Sequence, residues 1–358
     1  MTYKLAILKS ESGTDHLGWV KACHEKRSEV QHEIIDIIRD DWMVHFKEKA
    51  FDMLLARPPG ERTHFKNLYD ERVWILHRVL DYPVYPSMEE ILIYENKKLL
   101  RDWLVATEIP HPATHVFFDR KKAEKHVANA AFPVVAKSNI GGGASGVFFL
   151  RTKDEALKYI SRAFSEKGIE RRWGPNLRKG DIGKRMVKRL KNIPGTVNYF
   201  KEKRDMSVTD PQKWFVIFQD YMEIRHEWRC VKIGESMFAH VKVPGRSGVA
   251  SGTSRVDWSI KPPESLLDFA EAVCNKRGFL SQAVDVFESN EGEYFVNELQ
   301  CFFGSKNPHQ MIIDGKPGRY LRSGEGWIFE EGHFNRDNSF HLRLDHVIRL
   351  LNEKRSSQ

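Results

Sequence analysis

The sequence is poor in cysteine and has no apolar run of membrane length. Its four cysteines, Cys23, Cys230, Cys274 and Cys301, are widely spaced and form no C-x-x-C pair. That spacing excludes a zinc ribbon and a disulfide framework, and it predicts a chain kept in the reducing cytoplasm. Apolar stretches such as residues 6–8 and 147–150 have the length of strands. A bilayer crossing needs about 20 apolar residues. The opening MTYKLAILKSESG lacks the apolar core and cleavage pattern of a signal peptide. No membrane partner is expected. Internal repeats, low-complexity tracts and a persuasive Ser/His/Asp arrangement are missing too.

The net charge of +8 is concentrated in one place. Residues 167–204 hold 13 Lys/Arg against 3 Asp/Glu, so the remainder of the chain is slightly acidic. Elsewhere, residues 3–8, 34–38 and 51–56 read as strands, with a helix over 18–29, which predicts a small open α/β unit in the first 88 residues. Residues 90–106 read as one helix, with Leu99, Leu100, Trp103 and Leu104 on one side. The strands 132–137 and 147–150 follow, then a helix from Thr152 with Ala156, Ile160 and Phe164 inward. Strands are expected at 214–221, 228–233 and 237–243, helices at 263–276 and 342–354, and a hairpin at 283–299.

Between the strands 132–137 and 147–150 lies Gly141-Gly142-Gly143-Ala144-Ser145-Gly146, which spells G-x-G-x-x-G. A dinucleotide fingerprint needs a helix after that loop, to receive the pyrophosphate. Here a strand follows. No Lys-Ser/Thr closes the loop, so the Walker pattern fails. A kinase places its lysine on the strand after the loop. Here Lys137 precedes it, and neither H-R-D nor D-F-G is present. What remains is a flexible hairpin tip, or a backbone cradle for phosphate with a lysine at its mouth.

In the hairpin 283–299, strand alternation puts Glu298 and Gln300 on one face. Folding about residues 289–292 sets Asp285 opposite Glu298, with Cβ atoms about 4.5–5.5 Å apart. Two carboxylates that close favour a bridging cation, and Asp, Glu and an amide oxygen suit Mg²⁺. A solvated polar face is the competing reading. Arg229 lies among the apolar Cys230, Val231 and Ile233. A buried arginine needs an anion, either a ligand or an internal carboxylate.

The order of these parts resembles the ATP-grasp superfamily over most of the chain. Residues 96–100 followed by 108–112 resemble its "DK…GIPxP" segment, and 132–137 its "PVVVK" strand. Gln219-Asp220-Tyr221-Met222 resembles the "QEYI" hinge, Glu227-Trp228-Arg229 the "DxR" pair, and Asp285 with Asn297-Glu298-Leu299-Gln300 the "D…ExN" metal ligands. The resemblance implies an α/β protein with the ATP-grasp fold: a pre-ATP-grasp domain at 1–88, then two α+β lobes that clamp ATP within 89–358. The first lobe would span 89–213 with the basic insert 167–204, the second 214–320, and a C-terminal helix 321–358. Lys97 and Lys137 would hold ATP phosphates. Gly141, Gly142, Gly143, Ser145 and Gly146 would cover them as a flap. Gln219, Asp220, Tyr221, Met222 and Glu227 would complete the nucleotide site. Arg229, with Lys242 and Arg246, would serve the transferring phosphoryl group. Asp285, Glu298 and Gln300 would bind one or two Mg²⁺ ions, or Mn²⁺ in their place.

The sequence departs from glutathione synthetases and ribosomal-protein glutamate ligases in three places. Gln300 stands where Asn is usual, Asp220 where Glu is, and Val243 where Arg is frequent. Residues 245–254 are unlike their substrate loop. The expected activity is an ADP-forming carboxylate–amine ligase working through an acyl phosphate. Its substrates would be a small carboxylic acid and an amine, with the basic insert and Arg246 pointing to an anionic one such as an amino acid, peptide or uronic-acid sugar. A small-molecule kinase on the same clamp is the alternative within enzymes. A polyanion or nucleic-acid binder using 167–204 is the alternative outside them, although a nucleic-acid partner is not expected. The resemblance also leaves room for a homodimer.

Overall fold

The computed structural model describes residues 2–48, 50–141, 145–172, 201, 204, 205, 207–243, 256–303, 307–324 and 326–357. Strand β1 (Tyr3–Lys9) is apolar on both faces. Leu5 and Ile7 pack with Trp19, Phe302 and Leu344, while Ala6 and Leu8 pack with Trp42, Tyr69 and Val73. Successive strand residues point to opposite faces, so such a strand belongs in a sheet covered on both sides. It sits inside a parallel sheet of order β2-β1-β3-β4, with β2 (Val30–Asp36), β3 (Met53–Leu55) and β4 (Val84–Tyr85). The C-terminal helix Phe340–Ser356 covers one face of this sheet, where the Phe340 ring meets Trp19 edge-on at 5.1 Å.

Three local expectations are corrected. The second strand runs over Val30–Asp36 rather than 34–38, because the full length of β1 pairs with it in register from Tyr3↔Val30 to Lys9↔Asp36. The helix expected over 18–29 ends at Glu25. The single helix expected over 90–106 is two helices, Met88–Ile93 and Lys97–Ala106. Each has its own N-cap, Ser87 with a capping box to Glu90, and Asn96 accepting from the Leu99 N–H. Glu95 between them is left-handed, at φ +50°. The break turns Leu99 out to 36 % exposure, while Leu100, Trp103 and Leu104 enter the core. The helix Thr63–Arg78 was not anticipated. Its inward set of Tyr69, Val73 and Leu76 has helical spacing, but the exposed Trp74 blurs the pattern.

The second sheet is antiparallel, of order β5-β8-β6-β7, with β5 (Thr114–Phe117), β6 (Val134–Lys137), β7 (Val147–Leu150) and β8 (Val216–Asp220). Helices Arg120–Ala128 and Lys153–Ala163 back it through Val127, Ala156, Ile160 and Phe218. Phe164, expected inward, is only partly buried at the end of that helix.

The third sheet contains β9 (His226–Ile233), β10 (Ser236–Lys242), β11 (Val256–Asp257), β12 (Ser281–Glu288), β13 (Tyr294–Gln300), β14 (Ile312–Ile313), β15 (Lys316–Ser323) and β16 (Gly326–Glu331). Its order is β13-β12-β9-β10-β15-β14, with β11 on β10 and β16 on β15. Helix Glu264–Asn275 packs on it through Leu266, Leu267 and Cys274, against Cys230, Val284 and Val286. The second and third sheets meet along a cleft, and that cleft collects the polar residues described next. Among the described residues no helix is long and apolar enough to cross a membrane.

Candidate active site

β6 and β7 pair antiparallel on either side of the glycine loop. The Ser138 N–H donates to the Gly146 carbonyl at 2.7 Å. A Cβ on Gly146 would lie 2.5 Å from the Ser138 Cβ, so only glycine closes the hairpin here. Gly141 has φ +121°, and its Cβ would lie 2.8 Å from Cδ of Arg171. Gly142 and Gly143 lie outside the described residues. Ser145 is half-buried at the hairpin's far side. The Ser138 hydroxyl is buried and has no hydrogen-bond partner among the described residues. A buried hydroxyl left in that state is costly unless a ligand completes it.

Lys137 ends β6 and points across the cleft. Its ammonium is buried and donates to the Asn297 amide oxygen at 2.9 Å. Among the described residues no carboxylate lies within ion-pair distance of it. Burial lowers its pKa to about 8, against the pull of Glu298 in the other direction. Lys97 opens the helix Lys97–Ala106. Its ammonium lies 3.5 Å from Glu95, 3.5 Å from Glu298 and 3.4 Å from the Gly141 carbonyl. Burial opposes its charge, but these two carboxylates outweigh burial and raise its pKa.

On the third sheet, Arg229, Lys242, Glu227 and Asp285 form a buried charge cluster. The register aligns Asp285 on β12 with Arg229 on β9. Arg229 grips Asp285 with two hydrogen bonds, at 2.7 and 2.8 Å, and Lys242 adds a third at 2.9 Å. Burial works against the Asp285 carboxylate, but the two cations prevail and hold it well below the usual range. Lys242 also contacts Glu227, whose pKa burial pushes up. Asp285 is therefore the ionised partner of the pair of cations. Arg246 lies outside the described residues.

Asp285 pairs with Glu298 across the hairpin, as the spacing predicted. The register then slips, since the next pair is Val286↔Val296, leaving Asn297 as an extra residue on β13. A bulge of this kind re-aims side chains. It lets Asn297 meet Lys137 while the adjacent Glu298 meets Lys97. Gln300 donates its amide N–H to Glu95 at 3.3 Å. Glu95 is buried in the cleft and its pKa is raised, by burial first and against the opposing effect of Lys97.

At the hinge, Gln219 is buried and donates to the Thr114 hydroxyl at 3.2 Å. It lines a narrow cavity of ≈ 20 Å³ with Lys97, Lys137, Ile217 and Asn297, room for about one water. Asp220, the next residue, faces the other side of β8 and lines a separate groove with Lys122 and His126. Tyr221 is exposed and Met222 half-buried just beyond the strand. The cleft therefore gathers Lys97, Lys137, Gln219, Glu227, Arg229, Lys242, Asp285, Glu298 and Gln300, and leaves the Asp220 side chain out.

The donor set suits a hard divalent cation. Glu298, Gln300 and Asp285 offer oxygen ligands of the type Mg²⁺ takes. Both Asp285 oxygens are held by Arg229 and Lys242, whereas the Glu298 ion pair to Lys97 is long at 3.5 Å. Glu298 is thus the carboxylate most open to an ion. Two cleft residues, Glu95 and Asn297, were not foreseen, nor was Ser138 beside the hairpin. Nothing in a periodic pattern marks Glu95. The bulge that aims Asn297 leaves no local signature either. Ser138 could have been read, because it directly follows the strand lysine.

No family model matches the sequence, and no curated protein matches it significantly. Solved structures do resemble the chain. A RimK domain protein ATP-grasp from Sphaerobacter thermophilus is 15% identical, with a TM-score of 0.50 over 83% of this chain and 90% of that one. The D-alanine-D-alanine ligase from Coxiella burnetii is 12% identical, with a TM-score of 0.55 over 100% of this chain and 96% of that one. An N5-carboxyaminoimidazole ribonucleotide synthetase from Thermotoga maritima is 15% identical, with a TM-score of 0.52 over 97% and 76%. Likeness at these identities is likeness of fold.

Proposed function

We propose, since this chain has the ATP-grasp fold, that it is an ATP-dependent carboxylate–amine ligase. The observation that carries the proposal is the Lys137 ammonium, buried at the mouth of the glycine hairpin with an amide oxygen as its partner and, among the described residues, no carboxylate at ion-pair distance. A buried cation in that state calls for an anion. The Ser138 hydroxyl, next in sequence, is also buried without a hydrogen-bond partner among the described residues, and it lies against Gly146 of the hairpin. Phosphate is the anion that glycine backbone, lysine and hydroxyl hold together best.

In this reading Lys97, Lys137 and Ser138 hold the nucleotide's phosphates. Gln219, Tyr221 and Met222 flank the adenine, with the polypeptide backbone rather than the Asp220 carboxylate at the hinge. Glu298, Gln300 and Asp285 would hold Mg²⁺, which neutralises phosphate charge when bound. A substrate carboxylate oxygen attacks the γ-phosphorus, the bond to the β-phosphate oxygen breaks, and ADP leaves. Arg229 and Lys242 spread the charge on the transferred group. An amine then attacks the acyl phosphate, loses its proton, and expels phosphate as the amide forms. Positioning and charge neutralisation supply the acceleration, without a protein nucleophile. The ≈ 20 Å³ cavity is too small for adenine, so the Lys137–Asn297 and Lys97–Glu298 contacts part when nucleotide arrives.

Two tests follow from this reading. With Mg-ATP, a panel of small anionic acids and hydroxylamine, the protein should release ADP and accumulate a hydroxamate. ADP release with phosphate carried to a hydroxyl group would instead identify a kinase. The second test is pH. Phosphate binding needs charged Lys137, whose pKa in the free protein is about 8. Raising the pH through that value removes the proton, so affinity for Mg-ATP should fall, by about tenfold between pH 7 and 9 if the charged form alone binds. Titration calorimetry would read it, with proton uptake on binding at pH 9. Affinity that is flat over this range would remove Lys137 from the phosphate site.

A further inference from the structure

The face of β8 that turns away from the cleft carries a second cluster, independent of the ligase reading. His115 on β5 lies opposite Phe218 on β8, and Asp220 is two residues further along that strand. Both side chains therefore share one face of the sheet. The helix Arg120–Ala128 packs on that face and delivers His126, whose ring centroid is 4.5 Å from that of His115. One ligand atom from each of His115, His126 and Asp220 lies within 4.8 Å of the others. The Nε2 atom of His126 is buried without a hydrogen-bond partner among the described residues.

We propose that His115, His126 and Asp220 form a divalent transition-metal site, with Zn²⁺ as its ion. Two imidazoles and a carboxylate suit zinc, and three protein ligands leave a coordination position open. That position faces a groove of ≈ 630 Å³ lined by Lys122, Lys125, Asn129 and Tyr221. The cluster ties together β5, β8 and the helix behind them. An ion there would pin the end of the strand whose opposite face lines the cleft. A second group, Glu25, Asp337 and His341, has comparable spacing. Its carboxylates are already paired, Glu25 with Arg336 and Asp337 with Lys21, so it is the weaker candidate.

The full chain, stripped with a chelator, is titrated with Zn²⁺ alone by calorimetry and with Co²⁺ by visible absorption. The expected result is one ion per chain, with the intense d–d absorption of a low-coordinate cobalt site. His115→Gln and Asp220→Asn, at positions that are not fully buried, should each weaken binding at least tenfold, since loss of even an outer partner of a metal ligand costs about 10–100-fold. His341→Gln should leave it unchanged. No stoichiometric binding by the wild type overturns the site. So does binding that survives both His115→Gln and Asp220→Asn, or that is lost in His341→Gln.

Discussion

Replacing Lys137 by methionine should stabilise the free protein and at the same time abolish its stabilisation by Mg-ATP. The two effects have one cause. Burial lowers the Lys137 pKa from 10.5 to about 8. A lysine whose folded pKa is depressed opposes folding wherever it is charged, which is the whole range below about pH 8. Between that value and its unfolded pKa the unfolded chain binds more protons, so stability rises with pH across that window. At neutral pH the shift corresponds to about 3 kcal/mol. Methionine keeps the aliphatic stem and discards the charge, while the hydrogen bond to Asn297 is lost, worth about 1 kcal/mol. A net gain of about 1–2 kcal/mol, roughly 2–5 °C in Tm, is expected. Wild-type protein with Mg-ATP at a hundredfold its Kd should gain about 2.7 kcal/mol. That is a rise of roughly 5 °C, absent in the variant. Thermal melts of both proteins with and without Mg-ATP read all four states. A variant that melts lower than wild type, or still responds to Mg-ATP, would show that Lys137 is a structural cation rather than the phosphate's partner.

Asp285 and Glu298, paired across the same hairpin, should respond to alanine in opposite ways. Asp285→Ala strips Arg229 of both its hydrogen bonds and Lys242 of one. Removing one member of a buried ion cluster leaves uncompensated charge and costs about 3–5 kcal/mol. The Tm should fall by roughly 5–10 °C. A double change, Asp285→Leu with Arg229→Met, should recover most of that loss without restoring activity, because an apolar pair of similar volume replaces an ion pair at little cost. Lys242 keeps Glu227 in that background. Glu298→Ala removes only a long contact to Lys97, which retains Glu95. Its stability should stay within about 1 kcal/mol of wild type. Turnover should nonetheless drop by about 10²-fold or more, the scale of losing one group that neutralises charge in the transition state. Equal stability of Asp285→Ala and wild type would remove the charge cluster as a structural element. Full turnover by Glu298→Ala would remove Glu298 from the metal site.

Local pattern carried much of the architecture. The strands at 3–8 and 51–56 alternating with helical stretches announced the N-terminal α/β unit, and the glycine hairpin was legible from two apolar strands around G-x-G-x-x-G. The pairing of Asp285 with Glu298 followed from counting back from the turn at 289–292. Each of these depends on neighbours in the chain and on a strand period of two. The break at Glu95 was missed because the apolar spacing runs on through it, while two caps and a left-handed residue decide the geometry.

The sequence by itself determined which residues could meet in a hairpin and which face of a strand each would occupy. Tertiary structure alone decided what they met. Lys137 and Asn297 are 160 positions apart, and Glu95 and Gln300 are 205 apart. No periodicity spans such distances. The same holds for Asp285, which spacing placed beside Glu298 and which the fold also sets against Arg229 and Lys242, 56 and 43 positions away. Asp220 is the sharpest case. Its place next to Gln219 suggested a shared role at the hinge, yet strand alternation sends the two side chains to opposite faces of β8. Only the packing of helix Arg120–Ala128 on the far face reveals that Asp220 stands there with two histidines. Local spacing sets direction along a strand, whereas partners come from surfaces brought together by the burial of distant apolar faces.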